Sequence, residues 1–194
     1  MSKAERTRQF IIEKAAPIFN TKGFAGTSLS DMTDATGLTK GSIYGNFTDK
    51  DEVALACFEH NYELVRETIR KEIERFTAYR DKLLVYIEVY SHPEKYPLQF
   101  GGCPILNTTV EADDTHPGLR SLAGKALINW KERLVVLIEG GIRNKEFKPG
   151  VNAEQAALTI IALLEGMLVV KKATGNREYG KAVIESARKL IEEL

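Results

Sequence analysis

Residues Thr27–Lys50 read TSLSDMTDATGLTKGSIYGNFTDK, and their local chemistry predicts two short helices about a tight turn, with a third helix beginning at the far end. Thr27 or Ser28 offers a side-chain oxygen to the free N–H groups of the first helix, on which Leu29, Met32 and Ala35 share a face. Gly37 ends that helix, because glycine takes the left-handed backbone a sharp reversal needs, and Leu38 is the apolar residue that tucks the turn inward. Thr39 caps the second helix, in which Lys40, Gly41, Ser42, Ile43 and Tyr44 provide barely two turns and one aliphatic anchor, Ile43. Such a helix needs packing to exist at all. Its outer face is small and polar and its start is basic, which suits a DNA major groove, where first-turn side chains meet base edges and phosphates. Tyr44 and Phe47 close the unit, Asp49 caps the next helix, and Lys50 beside that N-terminus favours a nearby phosphate.

The segment resembles the helix-turn-helix of the TetR/AcrR family of bacterial transcriptional regulators. The shared pattern is a T-S-hydrophobic start, an alanine and glycine turn, a K-G-(S/T)-(I/L)-Y second helix and an F-x-x-K exit. Thr27, Ala35, Gly37, Lys40, Gly41, Ile43, Tyr44, Phe47 and Lys50 fall in register with it. Thr33, Thr36, Gly45 and Asn46 depart from it, and Gly45 lacks a side chain that family members often use at DNA. The resemblance implies an all-α chain, with an N-terminal three-helix helix-turn-helix DNA-binding domain over residues 1–50. A long helix would fuse it to a C-terminal helical effector-binding and dimerisation domain over residues 51–194. It further implies a ligand-responsive regulator, most often a repressor, that binds a pseudo-palindromic double-stranded DNA operator as a homodimer. Thr39, Lys40 and Ser42 would then face base edges, while Thr27, Tyr44, Asn46 and Lys50 hold phosphates. An effector would change the tilt of the helix that begins at Asp49.

A chain of 194 residues is long enough for a proper core, and its 27 basic and 27 acidic residues give the whole molecule no electrostatic preference for a polyanion. Through Lys50 the balance is seven basic to five acidic residues, a faint bias toward DNA in the N-terminal part. Cys57 and Cys103 lack the spacing of a disulfide framework, and the mixed-charge start MSKAERTRQF is neither a signal nor a transit peptide. The most apolar run, residues 156–170, is short for a bilayer span and carries Glu165, so a cytoplasmic protein without a membrane partner is expected.

Ahead of the motif, Phe10, Ile11, Ala15, Ile18 and Phe19 recur at helical spacing up to Lys22 and Gly23, and Pro17 inside that helix predicts a kink near Glu13. Lys3, Arg6 and Arg8 are candidate phosphate contacts of its N-terminal tail. Beyond the motif, helices are expected from Asp49 to about Phe76, Tyr79 to Tyr90, Ile105 to Ala112, Leu119 to Arg143, Asn152 to Lys172 and Tyr179 to Leu194. The breaker cluster Pro93, Pro97, Gly101, Gly102 and Pro104 interrupts them, and no run alternates with a period of two.

The penultimate helix is apolar nearly all round and must be covered on every side. Ile160, Leu164 and Leu168 on it, with Ile184, Ala187 and Ile191 on the last helix, are the expected dimer interface, a four-helix bundle of two helices from each subunit. Asn107 and Glu111 lie one turn apart on one helix face. With Tyr86, Tyr90, Phe100, Cys103, Trp130 and Met167 they are the candidate lining of an effector pocket. The glycine-cysteine, asparagine, glutamate spacing is similar to one branch of TetR-like regulators, where it lies beside the effector cavity. The alternative is that the aromatic residues are ordinary core and that Asn107 and Glu111 satisfy backbone groups. No H-E-x-x-H, G-x-S-x-G or Walker pattern occurs, so no enzyme, metal or cofactor is expected. The rival reading is a helical small-molecule-binding or catalytic protein with a vestigial helix-turn-helix.

Overall fold

The computed structural model describes residues 2–96, 98 and 101–194. Among them the secondary structure is helical without a strand. In chain order the helices are α1 (Lys3–Gly26), α2 (Leu29–Thr36), α3 (Lys40–Tyr44), α4 (Lys50–Ile73) and α5 (Tyr79–Ser91), then α6 (Pro104–Ala112), α7 (Pro117–Arg143), α8 (Ala153–Thr174) and α9 (Arg177–Glu193). The chain divides into two compact units. One comprises Met1–Leu64 with Phe100–Ala126, the other Val65–Gln99 with Leu127–Leu194. The expected division at residue 50 thus differs from the contact pattern, in which α6 and the start of α7 join the N-terminal helices because α6 packs on α1.

In the first unit, Ile11, Ala15 and Phe19 of α1 are buried, as are Met32, Ile43 and Phe47, and α1 packs on α2, which in turn packs on α3. The break in α1 lies at Gly23, whose φ of 75° and ψ of 178° leave the helical range, and not near Glu13. Pro17 is carried inside the helix. Ser28, not Thr27, caps α2: its hydroxyl accepts from the Asp31 N–H while Asp31 accepts from the Ser28 N–H, a reciprocal capping box. Thr36, a departure from the family pattern, is buried with its hydroxyl donating to the Met32 carbonyl at 2.7 Å, so its polarity is satisfied inside α2. Gly37 then takes φ 68°.

In the second unit, α8 and α9 pack together, and Ile160, Leu164, Leu168, Ala187 and Ile191 are each at most 5% exposed within the single chain. Five of the six side chains expected at the dimer interface are thus packed within their own chain. Ile184 is half-buried. The large apolar residues that α8 leaves open are Leu158 and Val169, at 48% and 49% exposure. By length and composition alone α8 would cross a membrane, yet its inward stripe is core against α9. Arg80 of α5 donates to the carbonyls of Ile191 and Glu192 at the end of α9, and Glu146 caps α5 by accepting from the Tyr79 and Arg80 N–H groups.

Leu164→Ala should lower the unfolding free energy by about 2–5 kcal/mol through the cavity it leaves. A urea titration measures it, and a near-neutral outcome would mean that Leu164 is not a core residue of the subunit.

Candidate nucleic-acid interface

Short as it is, α3 is specified at both ends. The Thr39 hydroxyl accepts from the Ser42 N–H at 3.2 Å, and the Asn46 side-chain amide donates to the Ser42 carbonyl at 2.8 Å. Ile43 is wholly buried and supplies the inward anchor. Thr39, Lys40 and Gly41 are exposed, and Ser42 and Tyr44 are half-buried, so the first turn of α3 presents a hydroxyl, an ammonium and bare backbone to the outside. Gly45 is also exposed and closes the helix, its N–H donating to Gly41.

Two of the predicted phosphate contacts are placed otherwise. Thr27 is only 1% exposed and its hydroxyl donates to the Gly23 carbonyl at 2.6 Å, so it fastens the α1–α2 connection. Asn46 directs its side-chain amide to the Ser42 carbonyl as the lower cap of α3. Lys50 is half-buried, with its ammonium 4.4 Å from the centre of the Phe24 ring, a cation–π contact that fixes where the charge sits. Tyr44 remains available at the edge of α3.

Arg8, a candidate for the basic tail, is a buttress. One guanidinium nitrogen donates to the Asn46 carbonyl at 2.7 Å, another pairs with Glu52 at 2.8 Å, and the group lies 4.0 Å above the Phe47 ring. It therefore ties α1 to the connection between α3 and α4. Nothing in the sequence around Arg8 announces this, since its partners are about forty residues away. Glu52 is held below the usual carboxylate range chiefly by the Thr48 N–H it accepts. Asp31 drops to about 2 because the Lys22 ammonium bonds it at 2.6 Å, so it stays an anion at the N-terminus of α2.

The candidate effector residues fall into separate groups. In the second unit, Tyr86 and Tyr90 stack on Trp130 with centroids 6.3 and 5.2 Å away, and all three, with Met167, are buried. The Trp130 Nε1–H is buried without a hydrogen-bond partner among the described residues. In the first unit, Cys103 is buried at the start of α6, and Asn107 and Glu111 are engaged with α1. The Asn107 amide donates to Asn20 and Gly101, and the Glu111 carboxylate accepts from two N–H groups of α1, so these two satisfy backbone as the alternative reading had it. Phe100 lies outside the described residues. Cys57 is buried on α4, where burial pushes its thiol up to about 12 and leaves it inert.

A family profile described as "Bacterial regulatory proteins, tetR family" matches residues 11–57, and one described as "Tetracyclin repressor-like, C-terminal domain" matches residues 80–187. The crystal structure of a TetR-family transcriptional regulator from Cytophaga hutchinsonii is similar with a TM-score of 0.94 and 49% identity, covering 98% of this chain and 96% of that one. That of a TetR transcriptional regulator from Chloroflexus aurantiacus gives 0.91 and 36% over the same shares. The HTH-type transcriptional regulator TtgR of Pseudomonas putida is 25% identical over 172 residues, 86% of this chain and 80% of that protein.

Arg8→Ala removes a hydrogen bond, a half-exposed ion pair and a ring contact together. It should lower stability by about 1–2 kcal/mol in urea unfolding, and Arg8→Lys should recover little, because an ammonium cannot reproduce the forked contact. Full recovery by lysine would reduce Arg8 to a surface charge.

Proposed function

The chain belongs to the TetR family of bacterial helix-turn-helix transcriptional regulators, and on that premise we propose that it is a cytoplasmic, ligand-responsive repressor acting on operator DNA as a homodimer. The observation that carries this reading is the first turn of α3, anchored inward by Ile43 alone while Thr39 and Lys40 face outward. A helix of that girth enters a major groove, and two copies related by a two-fold axis read half-sites about 34–36 Å apart. Lys40, Thr39 and Ser42 meet base edges, and Tyr44 and Lys50 hold phosphates. The family match across the motif does not favour a vestigial helix-turn-helix.

Dimerisation is assigned to the outward stripe of α8. Leu158, Ala162 and Val169 recur at helical spacing on its exposed side, and an open depression of about 500 Å³ is lined by Leu158 and Ala162 with Asn152, Glu154, Gln155 and Thr159. An isologous contact between two such stripes covers apolar surface that the subunit leaves wet. The stacked Tyr86, Tyr90 and Trp130, with an indole N–H that finds no partner among the described residues, are the part of the second unit suited to a planar effector that carries an acceptor. Effector and DNA must weaken each other by the same factor, and only a ligand preferring the non-binding arrangement releases the operator.

In a mobility shift with DNA flanking its own gene, the native protein should bind. Lys40→Ala should lose about 1–3 kcal/mol of that affinity, and Lys50→Ala should reduce the slope of log K against log salt by about one. No binding by the native chain, or unaltered affinity and slope in both variants, removes the assignment. On sedimentation, Leu158→Glu combined with Val169→Glu should give folded monomers where the native chain gives dimers. A dimer that survives both charges places the interface elsewhere.

A further inference from the structure

Glu111 reaches from α6 to a backbone segment 87 positions earlier. One carboxylate oxygen accepts from the Phe24 N–H at 2.7 Å and the other from the Ala25 N–H at 2.8 Å. In an unbroken helix those amides would donate four residues back, to Asn20 and Thr21. The turn at Gly23 releases them, and the Asn20 carbonyl accepts instead from the side-chain amide of Asn107, at 3.0 Å. One face of α6, two residues a turn apart, therefore fills both sides of the break in α1. The seat is tight: a Cβ at Gly23 would lie 2.3 Å from a Glu111 oxygen, and one at Gly101, ahead of α6, 2.8 Å from the Asn20 carbonyl. The Phe24 ring is held as well, edge-on to His116 with centroids 4.7 Å apart, and it carries the Lys50 ammonium.

Only Gly26 and Thr27 separate Ala25 from the N-cap of α2 at Ser28, and Thr27 is fastened back to Gly23. Whatever fixes Phe24 and Ala25 thus fixes the entry into the helix-turn-helix. We propose that Glu111 is a positioning residue of the DNA reader, although it lies outside residues 11–57 that match the regulatory N-terminal profile. The proposal rests on the DNA-binding reading above. Seated, its carboxylate holds α2 and α3 in the DNA-competent placement.

Charge gives the test its sign. Removing a carboxylate from a DNA-binding unit weakens repulsion of phosphates and on that ground alone tightens binding. Glu111→Ala should nonetheless bind the flanking DNA roughly tenfold more weakly in fluorescence anisotropy. The salt slope should stay native, because no phosphate contact is lost. Glu111→Gln has the same charge as the alanine variant but keeps one carbonyl acceptor, and should lie between. Hydrogen exchange at the Phe24 and Ala25 amides should quicken in the same order. Affinity equal to or above native in Glu111→Ala overturns the proposal. If circular dichroism shows that variant unfolded, native affinity in Glu111→Gln overturns it instead. A native chain that binds no DNA fails the functional reading, and the proposal with it; a binding native chain with unaffected variants fails the proposal alone.

Discussion

A helix of five residues has no stability of its own, and the first unit is arranged around that constraint. Nucleating one turn costs more than its few hydrogen bonds return, so α3 exists only because other parts of the chain hold its ends and its one apolar side chain. Thr39 and Asn46 serve its free N–H and carbonyl groups, Ile43 fills the core formed with α1 and α2, and Arg8 secures the exit from across the unit. What this support leaves outside is small and polar, the surface a duplex groove accepts. Bulk is kept off the outer face of α3 because its one aliphatic anchor, Ile43, points inward.

The parts legible in the sequence were those with local causes. Caps and glycine stops act over three or four residues, so Gly37, Thr39 and Asp49 marked the element boundaries, and the helical spacing of Ile11, Ala15 and Phe19 marked the supporting face of α1. Periodicity could not resolve α8, because a helix apolar on all sides does not declare which stripe is covered by its own chain. Ile160, Leu164 and Leu168, expected at the dimer interface, are covered within the single chain, and Leu158 and Val169 carry the open side. Thr27 looked like a surface hydroxyl for the same reason: a threonine before a helix is a cap or a ligand contact by default, and only the break at Gly23 turns it inward. Arg8 and Glu111 find their partners 38 to 87 positions away, beyond any pattern a single sequence displays.

The aromatic group of the second unit has a different character. Trp130, Tyr86 and Tyr90 present large apolar faces to one another, while the indole N–H, a group that interiors usually satisfy, has no acceptor among the described residues. The Asn107 amide and the Glu111 carboxylate stand apart from this group, on α6, where they bond to α1.

The grip of α6 on the end of α1 bears on how such proteins can be recombined. Cutting the chain just past the start of α4 and grafting its first helices onto another member's remainder would leave two adjacent amides and a carbonyl exposed where the α1 course is interrupted. A hybrid that carried residues 101–112 along with the graft would bring its own clasp. The portable piece is thus discontinuous in sequence, two stretches of chain that must be inherited together.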